Sequence, residues 1–178
     1  MGKNSKFERK PRDFYPTPYE AVLPVLNHLL APYAARGHKA SFIEPCAGDG
    51  RLIRHLKKHG HPCVYACDVE PMAEGIEKRD VLFFGGAPFP KADLIITNPP
   101  WGRALLHPMI ELFRMQASTW LLFDADWMFT AQAKPYLKFC RKIVSVGRLS
   151  WEGNGVAGKD NCAWYNFRAD PCETIFEN

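Results

Sequence analysis

The segment Ser41-Phe42-Ile43-Glu44-Pro45-Cys46-Ala47-Gly48-Asp49-Gly50 constrains the fold more than any other stretch. A short apolar strand runs into a turn carrying two glycines, and the apolar positions Leu52, Ile53 and Leu56 then follow at helical spacing. In doubly wound sheets such a turn lies at the carboxyl end of a parallel strand, where nucleotide-like ligands bind. Gly48 and Gly50 would let the backbone approach a ligand closely. The spacing lacks the full dinucleotide pattern, and no phosphate-binding lysine follows, so NAD and ATP fit poorly.

The same alternation continues along the chain. Thr17-Pro18 opens a helix running to about Ala34, with Val22, Val25, Leu26, Leu29 and Leu30 on one face. Strands are expected at about 41–45, 62–67, 79–83, 92–97, 120–123, 143–146 and 163–167. Helices are expected near 49–59, 71–77, 104–116 and 127–139, the last interrupted near Pro135. The fold class is therefore α/β: a doubly wound, mostly parallel seven-stranded sheet with an antiparallel edge strand. A chain of 178 residues, 47% hydrophobic, supports one sizeable core. The expected organisation is a basic N-terminal arm over 1–13 and a single catalytic domain over 14–178, without a separate target-recognition domain.

No run approaches 18 apolar residues, and the polar start Met1-Gly2-Lys3-Asn4-Ser5-Lys6 lacks a signal-peptide core, so a cytoplasmic location without membrane contact is expected. Six cysteines without zinc-ribbon spacing read as reduced core thiols. His55, His59 and His61 read as a solvated helix end, and no metal is expected.

Acidic residues recur at the strand ends. Asp68 closes the strand Cys63-Val64-Tyr65-Ala66-Cys67, a position suited to accepting ribose hydroxyl hydrogen bonds. In Arg79-Asp80-Val81-Leu82, Asp80 is placed to accept from an adenine amine and a neighbouring backbone N–H to meet a ring nitrogen. Each carboxylate alone reads as a solvated loop charge. Glu44, Asp68 and Asp80 at successive strand ends, followed by Asn98-Pro99-Pro100-Trp101 after the apolar run Leu94-Ile95-Ile96, read together as a site.

That tetrapeptide suits methylation of an amine on a planar group. Such an amine is a poor nucleophile because its lone pair is delocalised. The Asn98 side-chain carbonyl and the Pro99 main-chain carbonyl could accept its two N–H groups and favour a pyramidal nitrogen. Pro99 and Pro100 stiffen the loop, and Trp101 offers a flat face for stacking, worth roughly 1–3 kcal/mol per base.

On these residues the chain resembles the class I S-adenosylmethionine-dependent methyltransferases, which have a Rossmann-like fold. Within them it is most similar to compact phage- or prophage-encoded DNA adenine-N6 methyltransferases. The resemblance covers most of the chain. It implies that Tyr15, Thr17 and Pro18, within Phe14-Tyr15-Pro16-Thr17-Pro18, approach the methionine moiety of S-adenosyl-L-methionine. It makes Glu44, Pro45, Ala47, Gly48, Asp49 and Gly50 the first cofactor loop, Asp68 the ribose acid, and Asp80 with Val81 the adenosine contact. Asn98, Pro99, Pro100 and Trp101 become the catalytic element, with Asn98 also bordering the cofactor. The implied activity is methylation of the N6 amine of adenine in DNA, with a short or relaxed target. Methylation of RNA adenine or of protein glutamine, and a non-catalytic cofactor-binding decoy, are the alternatives. Asn98 stands where many relatives have aspartate, and Cys46 is a departure in the first loop.

The formal charge of +4 permits a polyanionic partner without demanding one. Lys3, Lys6, Arg9, Lys10 and Arg12 crowd the N-terminal arm, which reads either as a phosphate-tracking segment or as a solvated terminus. Trp151 and Lys159, in a loop with Gly153, Gly155 and Gly158, read either as contacts to an extruded base and its backbone or as part of a plain connection.

Overall fold

The computed structural model describes residues 14–34, 37–83 and 88–177, with backbone only for 30–34. The basic arm with Lys3, Lys6, Arg9, Lys10 and Arg12 lies outside the described residues.

Helix α1 (Tyr19–Ala34) leads into β1 (Phe42–Glu44), α2 (Arg51–Lys58) and β2 (Cys63–Asp68). The short β3 (Glu77–Lys78), β4 (Leu94–Thr97), α3 (Arg103–Arg114) and β5 (Ser118–Asp124) follow. A single-turn α4 (Lys134–Leu137), β6 (Cys140–Arg148), β7 (Asn161–Phe167) and β8 (Ile175–Glu177) complete the chain. The strands form one sheet in the order β3-β2-β1-β4-β5-β7-β6-β8. Pairing is parallel from β3 through β5, and the antiparallel strand β7 lies toward the far edge, between β5 and β6.

The central strands are buried on both faces, as a parallel sheet requires. All four residues of β4 are buried. Leu94 and Ile96 join the core beneath α1 and α2, whereas Ile95 joins the core beneath α3, as alternating side chains must. Helix α1 contributes Ala21, Val22, Val25 and Leu29, and buried Val and Leu side chains contribute about 1.5–3 kcal/mol each. The Trp164 indole N–H fixes the helix to β7 by donating to the Ala21 carbonyl at 2.7 Å. At the amino ends of β1 and β4, the Ser41 hydroxyl and N–H both donate to Asp93 Oδ2, at 2.6 and 2.8 Å.

Several elements differ from expectation for local reasons. Residues 79–83 form a turn in place of a strand, because Asp80 Oδ1 accepts from the N–H groups of Leu82 and Phe83 at 2.9 and 3.3 Å. The third strand falls earlier, at Glu77–Lys78, paired with Cys67 and Asp68. No helix forms over 71–77: Gly75 turns at φ 80°, and Met72 N–H bonds back to the Gly48 carbonyl at 2.9 Å. The expected helix over 127–139 breaks into 3-10 turns at Ala125–Phe129 and Ala131–Ala133 and then α4, with an extended Thr130 between the turns and Pro135 in the first turn of α4. An eighth strand, β8, pairs parallel to β6. His61 is buried, with Nδ1 3.0 Å from the Ala40 carbonyl oxygen, so it is not part of a solvated helix end. All six cysteines are free thiols.

Candidate active site

Strand order reverses between β1 and β4, and the crevice expected at such a switch point is present. It is a cavity of about 1050 Å³ at the carboxyl ends of β1, β2 and β4.

The turn after β1 forms its floor. Gly48 N–H donates to Asp68 Oδ2 at 2.8 Å, Glu70 N–H donates to Asp68 Oδ1 at 2.8 Å, and Ala47 N–H meets the Cys67 carbonyl at 3.0 Å. Asp68 thereby ties the turns after β1 and β2 together. Gly48 has φ 49°, and a Cβ there would meet Phe14 Cε2 at 2.6 Å, so only glycine lets the Phe14 segment close over the turn. Gly50 caps α2 at φ 72°, and Asp49 Oδ1 accepts from Arg51 N–H at 2.9 Å, which shapes the end of the turn.

Glu44 is 2% exposed, lines the cavity, and has one carboxylate oxygen, Oε2, without a hydrogen-bond partner. Burial first, then Asp68 and Asp49, push its pKa well above the usual carboxylate range. An orphaned oxygen on a buried carboxylate that lines a cavity fits a small cationic group such as an ammonium. Val69, Met72, Val81 and Leu82 supply apolar wall beside Asp80, a combination fit for a flat heterocycle with a polar edge.

The other end of the cavity holds Asn98. Its Nδ2 donates to the Tyr15 main-chain carbonyl at 3.0 Å, and its Oδ1 accepts from the Trp101 indole N–H at 3.3 Å. Trp151, from the connection between β6 and β7, packs edge-on against both aromatic rings, with centroids 5.7 Å from Trp101 and 5.9 Å from Tyr15. Gly158 holds that connection close: its N–H donates to the Leu149 carbonyl at 2.8 Å, and a Cβ would meet Trp151 Cδ1 at 3.2 Å.

The cavity thus brings together Tyr15, Thr17, Glu44, Pro45, Ala47 and Gly48 with Asp49, Asp68, Asp80, Val81, Asn98 and Pro100. Pro18, Gly50, Pro99 and Trp101 do not line it, although Gly50 starts α2 and Trp101 bonds to Asn98. Trp151 meets the site through Tyr15 and Trp101, whereas Lys159 is exposed in the same connection. Sequence reasoning missed Val69, Glu70 and Met72, which directly follow Asp68 and were open to the same strand-end logic. Leu105 and Met109, four apart on α3 and hence on one face, also line the cavity.

Sheet order and cavity together define a Rossmann-like α/β domain with a ligand cleft at the switch point. A candidate RNA methyltransferase of Pyrococcus horikoshii shares this fold at a TM-score of 0.58, with 16% identity over 89% of this chain and 88% of that one. A Thermoplasma acidophilum protein aligns at a TM-score of 0.51, with 18% identity over 79% of this chain and 86% of its own. In sequence the chain is 30% identical to the type II methyltransferase M.VspI of Vibrio sp. (strain 343), over 57% of this chain and 28% of that protein. The chain thus spans less than a third of that relative's length. No family model matches. Among the described residues no helix is long and apolar enough to cross a membrane.

Proposed function

We propose that this chain transfers a methyl group from S-adenosyl-L-methionine to the N6 amine of adenine in DNA. The observation that carries the reading is Asn98, held by both ends of its amide in a cavity that the glycine turn and Glu44 also line. The likeness to a type II methyltransferase supports it.

The residues present fit the cofactor. Glu44, with its orphaned oxygen, would hold the α-ammonium, Asp68 would accept from the ribose hydroxyls, and Asp80 with the Val81 N–H would meet the adenine edge between apolar walls. Tyr15 and Thr17 would close the methionine end, with Thr17 buried and Pro18 behind it, outside the lining. When bound, S-adenosylmethionine supplies an electrophilic methyl group on a sulfonium. The cavity of about 1050 Å³ lies at the top of the usual pocket range of roughly 300–1,000 Å³, which leaves space for a target beside the cofactor.

Catalysis by this chain is alignment and polarity. Asn98 Oδ1 and the Pro99 carbonyl accept the two N–H groups of the target amine and localise its lone pair toward the methyl carbon. Attack on such a methyl group would leave the nitrogen cationic, and the two carbonyl acceptors would stabilise that charge until a proton passes to solvent. Trp101 stacks on the base, and Trp151 backs Trp101. A duplex target must be extruded to reach Asn98. The arm with Lys3, Lys6, Arg9, Lys10 and Arg12, together with Lys159, would follow the phosphates.

The test is tritium transfer from labelled cofactor to separate pools of unmethylated DNA, RNA and cell protein. Incorporation into DNA supports the proposal. Incorporation only into RNA or protein keeps the chemistry and replaces the substrate, and cofactor binding without transfer to any pool leaves a binding protein.

A further inference from the structure

The Asn98 amide is gripped by two partners of opposite and fixed polarity. The Tyr15 main-chain carbonyl can only accept, and it lies 3.0 Å from Nδ2. The Trp101 indole N–H can only donate, and it lies 3.3 Å from Oδ1. Flipping the amide would face oxygen with oxygen at Tyr15 and N–H with N–H at Trp101. Trp151 packs against both the Tyr15 and Trp101 rings, so the two partners are held by one common neighbour.

We infer that Tyr15 and Trp101 form a polarity clamp that fixes the acceptor end of Asn98, so that this site works with asparagine and not with aspartate. The inference rests on the proposed methyl transfer and adds to it a positioning role for the Trp101 N–H, separate from stacking. A carbonyl oxygen has two lone pairs, so Oδ1 can serve the indole and the target amine together. An ionised aspartate at 98 would place a carboxylate oxygen against the Tyr15 carbonyl, with no proton between them. A protonated aspartate would restore the donor, because its O–H can bond to Tyr15 while the other oxygen still accepts.

Three variants isolate the clamp: Asn98→Asp, Asn98→Ala, and replacement of Trp101 by benzothienylalanine, which keeps the ring shape and removes the N–H. Cofactor affinity by calorimetry and circular dichroism control for folding. Loss of one hydrogen bond predicts that the benzothienylalanine protein slows single-turnover methylation about three- to ten-fold with unchanged KM for DNA. Asn98→Asp is expected to lose more at neutral pH, and its rate relative to the parent protein should climb as pH falls and the carboxyl becomes protonated. Unaltered turnover of the benzothienylalanine protein, or an Asn98→Asp rate equal to the parent at neutral pH, overturns the clamp.

One arm is independent of catalysis. In protein with 15N-labelled tryptophan, the Trp101 indole N–H, assigned by Trp101→Phe, should be protected from solvent exchange and lose that protection in Asn98→Ala. An indole N–H that exchanges freely in the parent overturns the clamp whether or not methyl transfer occurs. A protected N–H in a protein that methylates nothing upholds the clamp's geometry and overturns the proposed activity instead.

Discussion

Gly48 N–H donates to Asp68 Oδ2 at 2.8 Å, so the glycine turn after β1 and the acidic end of β2 are one unit although 20 residues separate them. The second Asp68 oxygen holds the Glu70 N–H. Replacing Asp68 by Ala removes both charge-assisted hydrogen bonds and the acceptor proposed for the ribose. With such bonds worth about 1.5–3 kcal/mol each, cofactor affinity should fall at least ~10-fold. Titration calorimetry checks this, and unchanged affinity would remove Asp68 from the site.

Gly48→Ala should damage the cavity without unfolding the domain. A left-handed backbone costs a non-glycine residue roughly 1–2 kcal/mol, and the new Cβ must also displace Phe14, which it would meet at 2.6 Å. The variant should melt a few degrees lower and bind cofactor weakly. Thermal melts with and without S-adenosylmethionine separate the two effects, because ligand stabilisation should shrink more than the ligand-free melting temperature.

Glu44 gives a pH dependence with a definite sign. Burial first, then Asp68 and Asp49, raise its folded-state pKa well above 4.5. The folded chain therefore holds a proton that the unfolded chain releases at about 4.5. Its contribution to stability is full below that value and is lost as pH rises toward the folded-state pKa. Binding an ammonium reverses the preference in favour of the ionised form, so cofactor binding should release up to about one proton and strengthen with rising pH. Calorimetry in buffers of different ionisation enthalpy counts that proton. Glu44→Gln should abolish the release, and a parent protein that releases none would contradict the assignment.

Trp151→Ala should separate target from cofactor. It removes the ring packed on Tyr15 and Trp101 but leaves the turn after β1 intact. KM for the nucleic acid should rise several-fold, within the roughly 1–3 kcal/mol of a stacking contact, while cofactor affinity stays put. Equal loss of both would make Trp151 a structural prop of the whole cavity.

The parts of this design legible in the sequence were the local ones. The strand, glycine turn and helix from Phe42 to Lys58 are specified by neighbouring residues, and so is the rigid Asn98–Trp101 loop after β4. The turn at Asp80 escaped because an aspartate side chain competing for backbone N–H groups outweighed the β-propensity of Val81, Leu82 and Phe83. The meeting of Trp151 with Trp101 had no local signal: it depends on β7 entering between β5 and β6, which brings the preceding connection to the carboxyl end of β4 and β5. The pairing of Asn98 with Tyr15 spans 83 residues and is visible only once the Phe14 segment has closed over Gly48.

Methyl transfer to adenine is measured with S-adenosylmethionine carrying a trideuterated methyl group and unmethylated duplex DNA, followed by mass spectrometry of the released nucleosides. Trideuterated N6-methyldeoxyadenosine should form with the parent protein and not with Asn98→Ala. Cofactor-bound protein that leaves every adenine unlabelled, or label that persists in Asn98→Ala, would contradict it.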